Sequence, residues 1–122
     1  MSKQYINGQL MFDTDYSTSE VKTGATWTDG KPIYSRVVEL TSPSTSGTWG
    51  NYPHGISNIA TIVSYSALVY QTVNVYPVPF YIGTSASFNI AMTTSGIALL
   101  PVGSENTSRP VKVIVYYTKT TD

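Results

Sequence analysis

The single histidine, His54, is the first candidate for chemistry, because imidazole is the only side chain whose ordinary pKa lies near neutral pH. The chain has no cysteine, which excludes thiol nucleophiles and thiolate metal sites. A Ser-His-Asp triad needs no adjacency in sequence, but no GxSxG motif is present and His54 lies between Pro53 and Gly55. We therefore expect His54 to fix a turn by hydrogen bonds to the backbone, with catalysis as the alternative.

The carboxylates are the other candidates for chemistry. Asp13 and Asp15 form a pair without the rest of a calcium loop, so a solvated turn is expected there. A glycosidase needs two carboxylates about 5–10 Å apart. Only Glu39 lies in the middle of a predicted strand, where Arg36 or Lys112 is its natural partner. The sequence thus predicts no enzyme, no metal site and no cofactor.

Aromatic side chains in a polar loop offer a different kind of chemistry. Trp49 and Tyr52 flank Asn51, and His54 follows shortly after. An exposed ring can stack on the apolar face of a pyranose, while amides and hydroxyls bond to the sugar's OH groups. These four residues are the predicted carbohydrate-binding site. The alternative is that the loop tryptophan folds back over the core.

The composition limits the partners that such a site could serve. The chain has 122 residues, enough for one domain, and 41% of them are apolar. Only 11% are charged and the formal net charge is zero, whereas Ser and Thr together number 32. Nucleic-acid binding needs a surplus of Lys and Arg, and an anionic membrane attracts the same residues. Neither partner is expected, and neither a signal peptide nor a membrane-spanning stretch is evident.

The elements that would position these residues are strands. Val111, Val113, Val115 and Tyr117 alternate with Lys112, Ile114, Tyr116 and Thr118, which is the two-residue period of a strand. Similar runs, separated by Gly- and Pro-rich turns, predict strands at 33–40, 60–71, 74–81, 87–92, 97–100 and 111–118. The prolines in 74–81 confine that run to an edge. The pattern predicts an all-β, antiparallel, jelly-roll-like β-sandwich over residues 32–122.

Residues 1–31, here called the leader, differ from the rest. Their apolar residues follow no period and they carry seven of the 14 charged residues, so we expect an extended arm that packs on a neighbouring subunit or virion component. Residues 17–20 fit a capping box for one helical turn. Asp29-Gly30 predicts a turn, Pro32 a strand start, and Trp27 is expected to fill an apolar gap.

The run 60–71 suggests assembly. In an unbroken strand, residues 62, 64, 66, 68 and 70 would share one face and 61, 63, 65, 67 and 69 the other. Neither face carries a charge, so both are expected to be covered, in a sandwich centre or at a subunit interface. A threefold axis would cover the second face.

Several segments together resemble a C-terminal domain of bacteriophage fibre proteins. They are YSTSE at 16–20, TG at 23–24, WTDGKPIY at 27–34, HGISNI at 54–59 and VYYTKTTD at 115–122. The resemblance covers residues 16–122, most of the chain. Two regions depart from the family pattern: the loop at 41–53, with Trp49 and Tyr52, and the region after Tyr70. The resemblance therefore does not indicate which ligand this chain binds.

The resemblance implies a β-sandwich that forms a homotrimer on a virion appendage such as a tail fibre. The implied function is attachment to a host surface receptor, a glycan or a protein, by a particle assembled in the host cytoplasm. The family pattern names no catalytic residue. One alternative is a head fibre or capsid decoration protein whose leader docks on the virion. Another is a glycan-cleaving depolymerase that uses Glu39 and His54.

Overall fold

Strands make up most of this protein. The structure, a computed structural model, describes the backbone of residues 4–6 and 9–12 and all atoms of residues 16–122. No helix in this described part is long and apolar enough to cross a membrane. The strands are β1 (Gln4–Ile6), β2 (Gln9–Phe12), β3 (Val21–Thr26), β4 (Pro32–Thr41), β5 (Gly50–Pro53), β6 (Ile59–Tyr70), β7 (Val75–Val78), β8 (Phe80–Gly83), β9 (Ala86–Met92), β10 (Gly96–Val102) and β11 (Pro110–Lys119), with a 3-10 turn at Ser104–Asn106.

The strands form antiparallel sheets, as predicted. The larger sheet has the order β3-β4-β11-β6-β7, and a second sheet has the order β5-β10-β9-β8. β1 pairs only with β2. The all-β class and the predicted strands over 33–100 and 111–118 are therefore confirmed. The proline-bearing run forms two edge strands, β7 in one sheet and β8 in the other.

The core joins residues of both sheets in one buried cluster. The last strand, β11, contributes Val111, Val113, Val115 and Tyr117, all with 0% exposure, as its alternation predicts. It lies between β4 and β6, so both of its edges are hydrogen-bonded. The other sheet contributes Phe88, Ile97 and Leu99. Burial of side chains of this size stabilises a fold by about 1.5–3 kcal/mol each.

The unbroken alternation expected along β6 is wrong. Val113 faces Ala67 and Tyr116 faces Ser64, but a register shift then places Tyr117 opposite Ile62. Such a bulge adds a residue to one strand, so that just beyond it the even-numbered residues of β6, instead of the odd-numbered ones, face the core. Ile62 therefore packs against the same core as Ala67, instead of sharing a face with Leu68.

The described part of the leader contains a strand that the sequence pattern did not predict, while its packing on a neighbouring subunit or virion component stays a prediction. Val21–Thr26 is an edge strand of the larger sheet and pairs with β4 of the same chain. The predicted helical turn at 17–20 is absent, because the Ser17 hydroxyl accepts from the Ser19 amide and the Ser17 carbonyl accepts from Val37 on β4. These residues run alongside β4. The Asp13 and Asp15 side chains lie outside the described residues.

The turn at the end of the leader forms as predicted. The Gly30 amide donates to the Trp27 carbonyl at 2.9 Å, and Asp29 Oδ1 accepts from the Lys31 amide at 3.0 Å. Gly30 has a φ of 85°, which a glycine adopts without strain. Pro32 then begins β4. Trp27 is half-buried.

A carboxylate within the leader binds the last strand. Tyr117 donates its hydroxyl to Glu20 Oε1 at 2.6 Å, and Lys119 Nζ lies 3.0 Å from Oε2. Burial raises the pKa of Glu20, but the hydrogen bonds from Tyr117 and Lys119 and the positive charges of Lys119 and Arg36 outweigh it, so the pKa lies below its ordinary value of 4.5. The ionised carboxylate therefore stabilises the fold.

A buried asparagine joins the two sheets at the opposite end of β11. Asn106 is 1% exposed, and its Nδ2 donates to the carbonyls of Ser87 on β9 and Val102 on β10. Its Oδ1 accepts from Gln71, and its carbonyl accepts from the Ser42 hydroxyl at 2.6 Å. Asn106 begins an Asn-Thr-Ser sequon, but its amide nitrogen is fully engaged and inaccessible in this fold.

The Glu20 contact predicts a pH-dependent loss of stability. Because the folded pKa lies below the unfolded one, the stabilisation is complete above about pH 4.5 and is lost as the pH falls through the folded value. Glu20→Gln should lower the free energy of unfolding by about 1 kcal/mol at pH 7. Urea unfolding across pH 3–7 should show this difference shrinking below about pH 4.5. Glu105→Gln is the control, since Glu105 is exposed and forms no ion pair within residues 16–122; a constant difference across this pH range would contradict the role of Glu20.

Asn106 predicts a larger, pH-independent effect. Asn106→Ala removes two donors and one acceptor from a buried site and should cost about 3 kcal/mol in urea unfolding. Asn106→Asp keeps the shape but replaces the donor with an acceptor facing two carbonyls, so it should cost at least as much. The control is Asn89→Ala, at an exposed position on β9, with an expected change within about 0.5 kcal/mol. Equal stability of the Asn106 and Asn89 variants would contradict this account.

Candidate functional site

The predicted carbohydrate-binding residues lie on and around one short edge strand, β5. Tyr52 pairs with Ile97 of β10, and Asn51 pairs with Ala98. Because successive strand residues point to opposite faces, Asn51 and Tyr52 face different sides of the sheet. The structure therefore does not bring all four predicted residues together on one surface.

Tyr52 faces the interior side. It is half-buried and packs against the core cluster, and burial raises the pKa of its hydroxyl. Its ring covers Gly50, where an added Cβ would lie 3.0 Å from the Tyr52 hydroxyl and 2.6 Å from Pro43 Cγ. Because Gly50 has no side chain, there is room for the Tyr52 ring at this position. In this conformation the ring is not free to stack on a ligand.

His54 is buried, with 4% exposure, and both of its ring nitrogens contact backbone groups. Nδ1 accepts from the Ile56 amide at 3.1 Å, so the proton of the neutral ring lies on Nε2, which donates to the Thr93 carbonyl at 3.2 Å. His54 thereby connects the end of β5 to the turn between β9 and β10. This is the turn-fixing role expected from the sequence.

Asn51 faces outward over a shallow depression of about 330 Å³. The floor consists of small residues of neighbouring strands, Ala91 and Ala98, and the hydroxyls of Thr93 and Ser95 lie at one end. None of the residues that line the depression is charged. The surface combines a flat apolar floor with one amide and two hydroxyls, which suits an uncharged, hydroxyl-rich ligand.

The turn at the end of the depression is held in a single shape. Thr93 Oγ1 accepts from the amides of Ser95 and Gly96, and the Thr93 amide donates to the Gly96 carbonyl. A Cβ on Gly96 would lie 2.7 Å from the Tyr52 carbonyl, so only glycine permits this approach to β5. His54 also contacts the Thr93 carbonyl, so the turn is held both by its own hydrogen bonds and by a residue at the end of β5.

Trp49 lies on the loop directly before β5 and is not among the residues that line the depression. It is 46% exposed and precedes Asn51 by two residues, about 7 Å along an extended chain. Its loop is anchored to the far end of β10, because the Gly47 amide donates to the Pro101 carbonyl at 2.7 Å and the Ser46 hydroxyl accepts from the Gly103 amide at 2.9 Å. Trp49 is thus a solvent-exposed ring on an anchored loop.

The candidates for catalysis are engaged elsewhere. Glu39 pairs with Lys112, with 3.9 Å between Oε2 and Nζ, as the sequence predicts. Arg36 instead donates to the carbonyls of Thr18 and Gly55. Across the part of the chain that the structure describes, no group of three or more His, Cys, Asp or Glu residues could hold a metal ion. The absence of catalysis stays a prediction.

The hairpin residues of the depression were not among the predicted site residues. The turn at 93–96 is predicted by Thr93-Thr94-Ser95-Gly96, but its proximity to β5 depends on the pairing of β5 with β10. The only signal in the sequence was the run of small residues around Gly96. Comparison with protein-family models, curated proteins and solved structures gave no match for this chain. The resemblance to phage fibre domains therefore rests on the sequence segments alone.

The geometry of His54 predicts a structural role that mutation can separate from ligand binding. His54→Ala leaves a buried carbonyl and a buried amide unpaired and should lower the free energy of unfolding by about 2–3 kcal/mol. His54→Asn places an oxygen near the position of Nδ1, keeps the Ile56 bond and should cost less. Thermal and urea unfolding measure both variants. An alanine variant as stable as the unmodified chain would contradict this role.

Proposed function

We propose that the chain is a β-sandwich domain of a bacteriophage virion appendage, such as a tail fibre, that attaches as a homotrimer to a glycan on the host surface. The fold supports the sandwich, because two antiparallel sheets contribute to one buried cluster. The segments resembling phage fibre domains support the virion location. Trimeric assembly is part of the proposal.

The observation that carries glycan binding is the uncharged depression under Asn51, and an exposed ring, Trp49, precedes Asn51 by two residues in the chain. A pyranose has an apolar face and a rim of hydroxyls. Its apolar face matches the alanine floor or the Trp49 ring, and its hydroxyls match the Asn51 amide and the hydroxyls of Thr93 and Ser95.

The charge distribution favours a neutral saccharide over an acidic one. From Leu40 to Ser104 the sequence contains no Asp, Glu, Lys or Arg, and all four strands of the smaller sheet fall in this stretch. An anionic sugar would normally be recognised by Arg or Lys through charge-assisted hydrogen bonds. The residues around the depression supply only neutral donors and acceptors.

A shallow site implies weak binding by each subunit. Three linked sites on one particle would raise the overall avidity by about 10²–10⁴ without a new contact, provided that they engage together. A homotrimer of this domain would satisfy that requirement. The function thus depends on assembly as well as on the depression.

Binding to an array of neutral and acidic glycans, and to host cells, tests the proposal. Trp49→Ala and Asn51→Ala should each weaken binding by about tenfold or more, since each removes on the order of 1.4 kcal/mol per site. The matched controls are Tyr65→Ala, a similarly exposed ring on the larger sheet, and Asn89→Ala on the same sheet as Asn51; neither should change binding.

Three results would overturn glycan attachment. They are no binding to any glycan or host cell, binding unchanged by the Trp49 and Asn51 variants, and equal loss in the Tyr65 and Asn89 controls. If glycan binding is absent and capsid proteins are captured instead, the decoration protein is the better account.

A further inference from the structure

The outer face of the larger sheet carries an apolar groove of about 470 Å³. Leu68 on β6 and Ile114 on β11 lie in its floor, Val37 and the exposed Tyr16 lie toward one side, and Pro77 on β7 lies toward the other. These residues come from the face opposite the core. They make an exposed, concave, largely apolar surface on a sheet whose inner side contributes to the core.

The charges in this groove neutralise each other. Lys112 lies opposite both Glu39 and Leu68 in the strand register, and its ammonium is 3.9 Å from the Glu39 carboxylate. The same ammonium lies 5.6 Å from the centre of the Tyr70 ring. The groove therefore presents no unpaired charge from these two residues, and an uncharged occupant would match it.

An exposed apolar edge lies on the other sheet. Tyr81 and Ile82, on the edge strand β8, are 73% and 64% exposed. The register between β8 and β9 shifts between Tyr81 and Gly83, so Ile82 lies at an irregularity of this edge, where both large apolar side chains are exposed. No charged residue protects the edge, because β8 lies in the uncharged stretch from Leu40 to Ser104.

We propose that the Tyr81–Ile82 edge of one subunit seats in the groove of a second copy of this chain. Both surfaces are apolar, and they match in charge, because the edge is uncharged and the groove's Glu39 and Lys112 are paired. Burying them together would leave no isolated charge without water. The formal net charge of zero also means that no net repulsion opposes the association of copies.

The two surfaces lie on different sheets, so each subunit can use both at once. Such a heterologous contact closes into a ring when the rotation between subunits allows it. A ring of three subunits would be the homotrimer of the proposed function. The number three is taken from that proposal. The groove-to-edge contact itself does not depend on glycan binding.

Mass measurement by light scattering, over a dilution series, tests the contact. The unmodified chain should have three times the 13.3 kDa mass of one chain. Tyr81→Ser with Ile82→Ser should reduce the mass to that of one chain, and so should Leu68→Lys, which places an unpaired charge in the groove. Val73→Ser is the control, because Val73 is 88% exposed yet belongs to neither surface. Circular dichroism and thermal unfolding verify that each variant is folded.

Mixing the variants tests the heterologous geometry. The edge variant retains an intact groove and the groove variant retains an intact edge, so an equimolar mixture should form a species of two chains. An unmodified chain that is a monomer would overturn both the contact and trimerisation. A trimer insensitive to the edge and groove variants, or a mixture that stays monomeric, would overturn the contact alone. Glycan binding by the edge variant, measured separately, reports on the proposed function independently of assembly.

Discussion

The whole structure depends on the insertion of the last strand between β4 and β6. β11 is last in sequence but occupies the middle of the larger sheet, and its four inward side chains are fully buried. Its partner β4 lies about 70 residues earlier, so the sheet is completed by contacts that are far apart in sequence. Contacts of this kind must overcome a large loop-closure entropy before they stabilise the fold. The other stabilising contacts are arranged around this strand. Glu20 binds Tyr117 and Lys119 at its end, and Asn106 lies just before its start.

Polar groups fix what the apolar core cannot, namely how the loops lie relative to the sheets. Apolar packing is non-directional, whereas a buried amide or imidazole accepts only one arrangement of its partners. Asn106 holds the ends of β9 and β10 at one end of the molecule, and His54 holds the β9–β10 turn at the other. The hairpin that carries Ala91, Ala98 and Ser95 is thus fixed at both ends. The internal hydrogen bonds of these two side chains therefore give the depression a defined shape. Because both side chains are used in this way, neither is available to bind a ligand.

The sequence predicted those parts of the fold that obey a simple period. β11 alternates without interruption and was predicted within one residue at each end. β3 was not predicted, because VKTGAT pairs with β4 at only three positions and its register shifts between Lys22 and Thr26. β5 contains Gly50 and Pro53, which ordinarily argue against a strand. The bulge that places Ile62 in the core depends on hydrogen bonding between two distant strands, and no local pattern records it.

The candidate site was predictable to the same degree. The exposure of Trp49 and Asn51 and the backbone contacts of His54 agree with what a polar, Gly- and Pro-rich loop implies. Tyr52 was grouped with them as part of an irregular loop, whereas its pairing with Ile97 turns its ring inward. The floor of the depression could not be predicted, since Ala91 and Ala98 become neighbours of Asn51 only through the order β5-β10-β9.

The absence of charge between Leu40 and Ser104 connects the two proposed surfaces. A charged side chain on the smaller sheet would lose its water when a ligand or a subunit covered it, at a cost of several kcal/mol. Because the sheet order is β5-β10-β9-β8, Asn51 on β5 and the Tyr81–Ile82 edge on β8 lie at opposite edges of the same uncharged sheet. Covering β8 in an assembly would leave β5 and Asn51 accessible. One sheet can therefore serve both assembly and recognition, and each subunit of a ring would keep its own ligand site open.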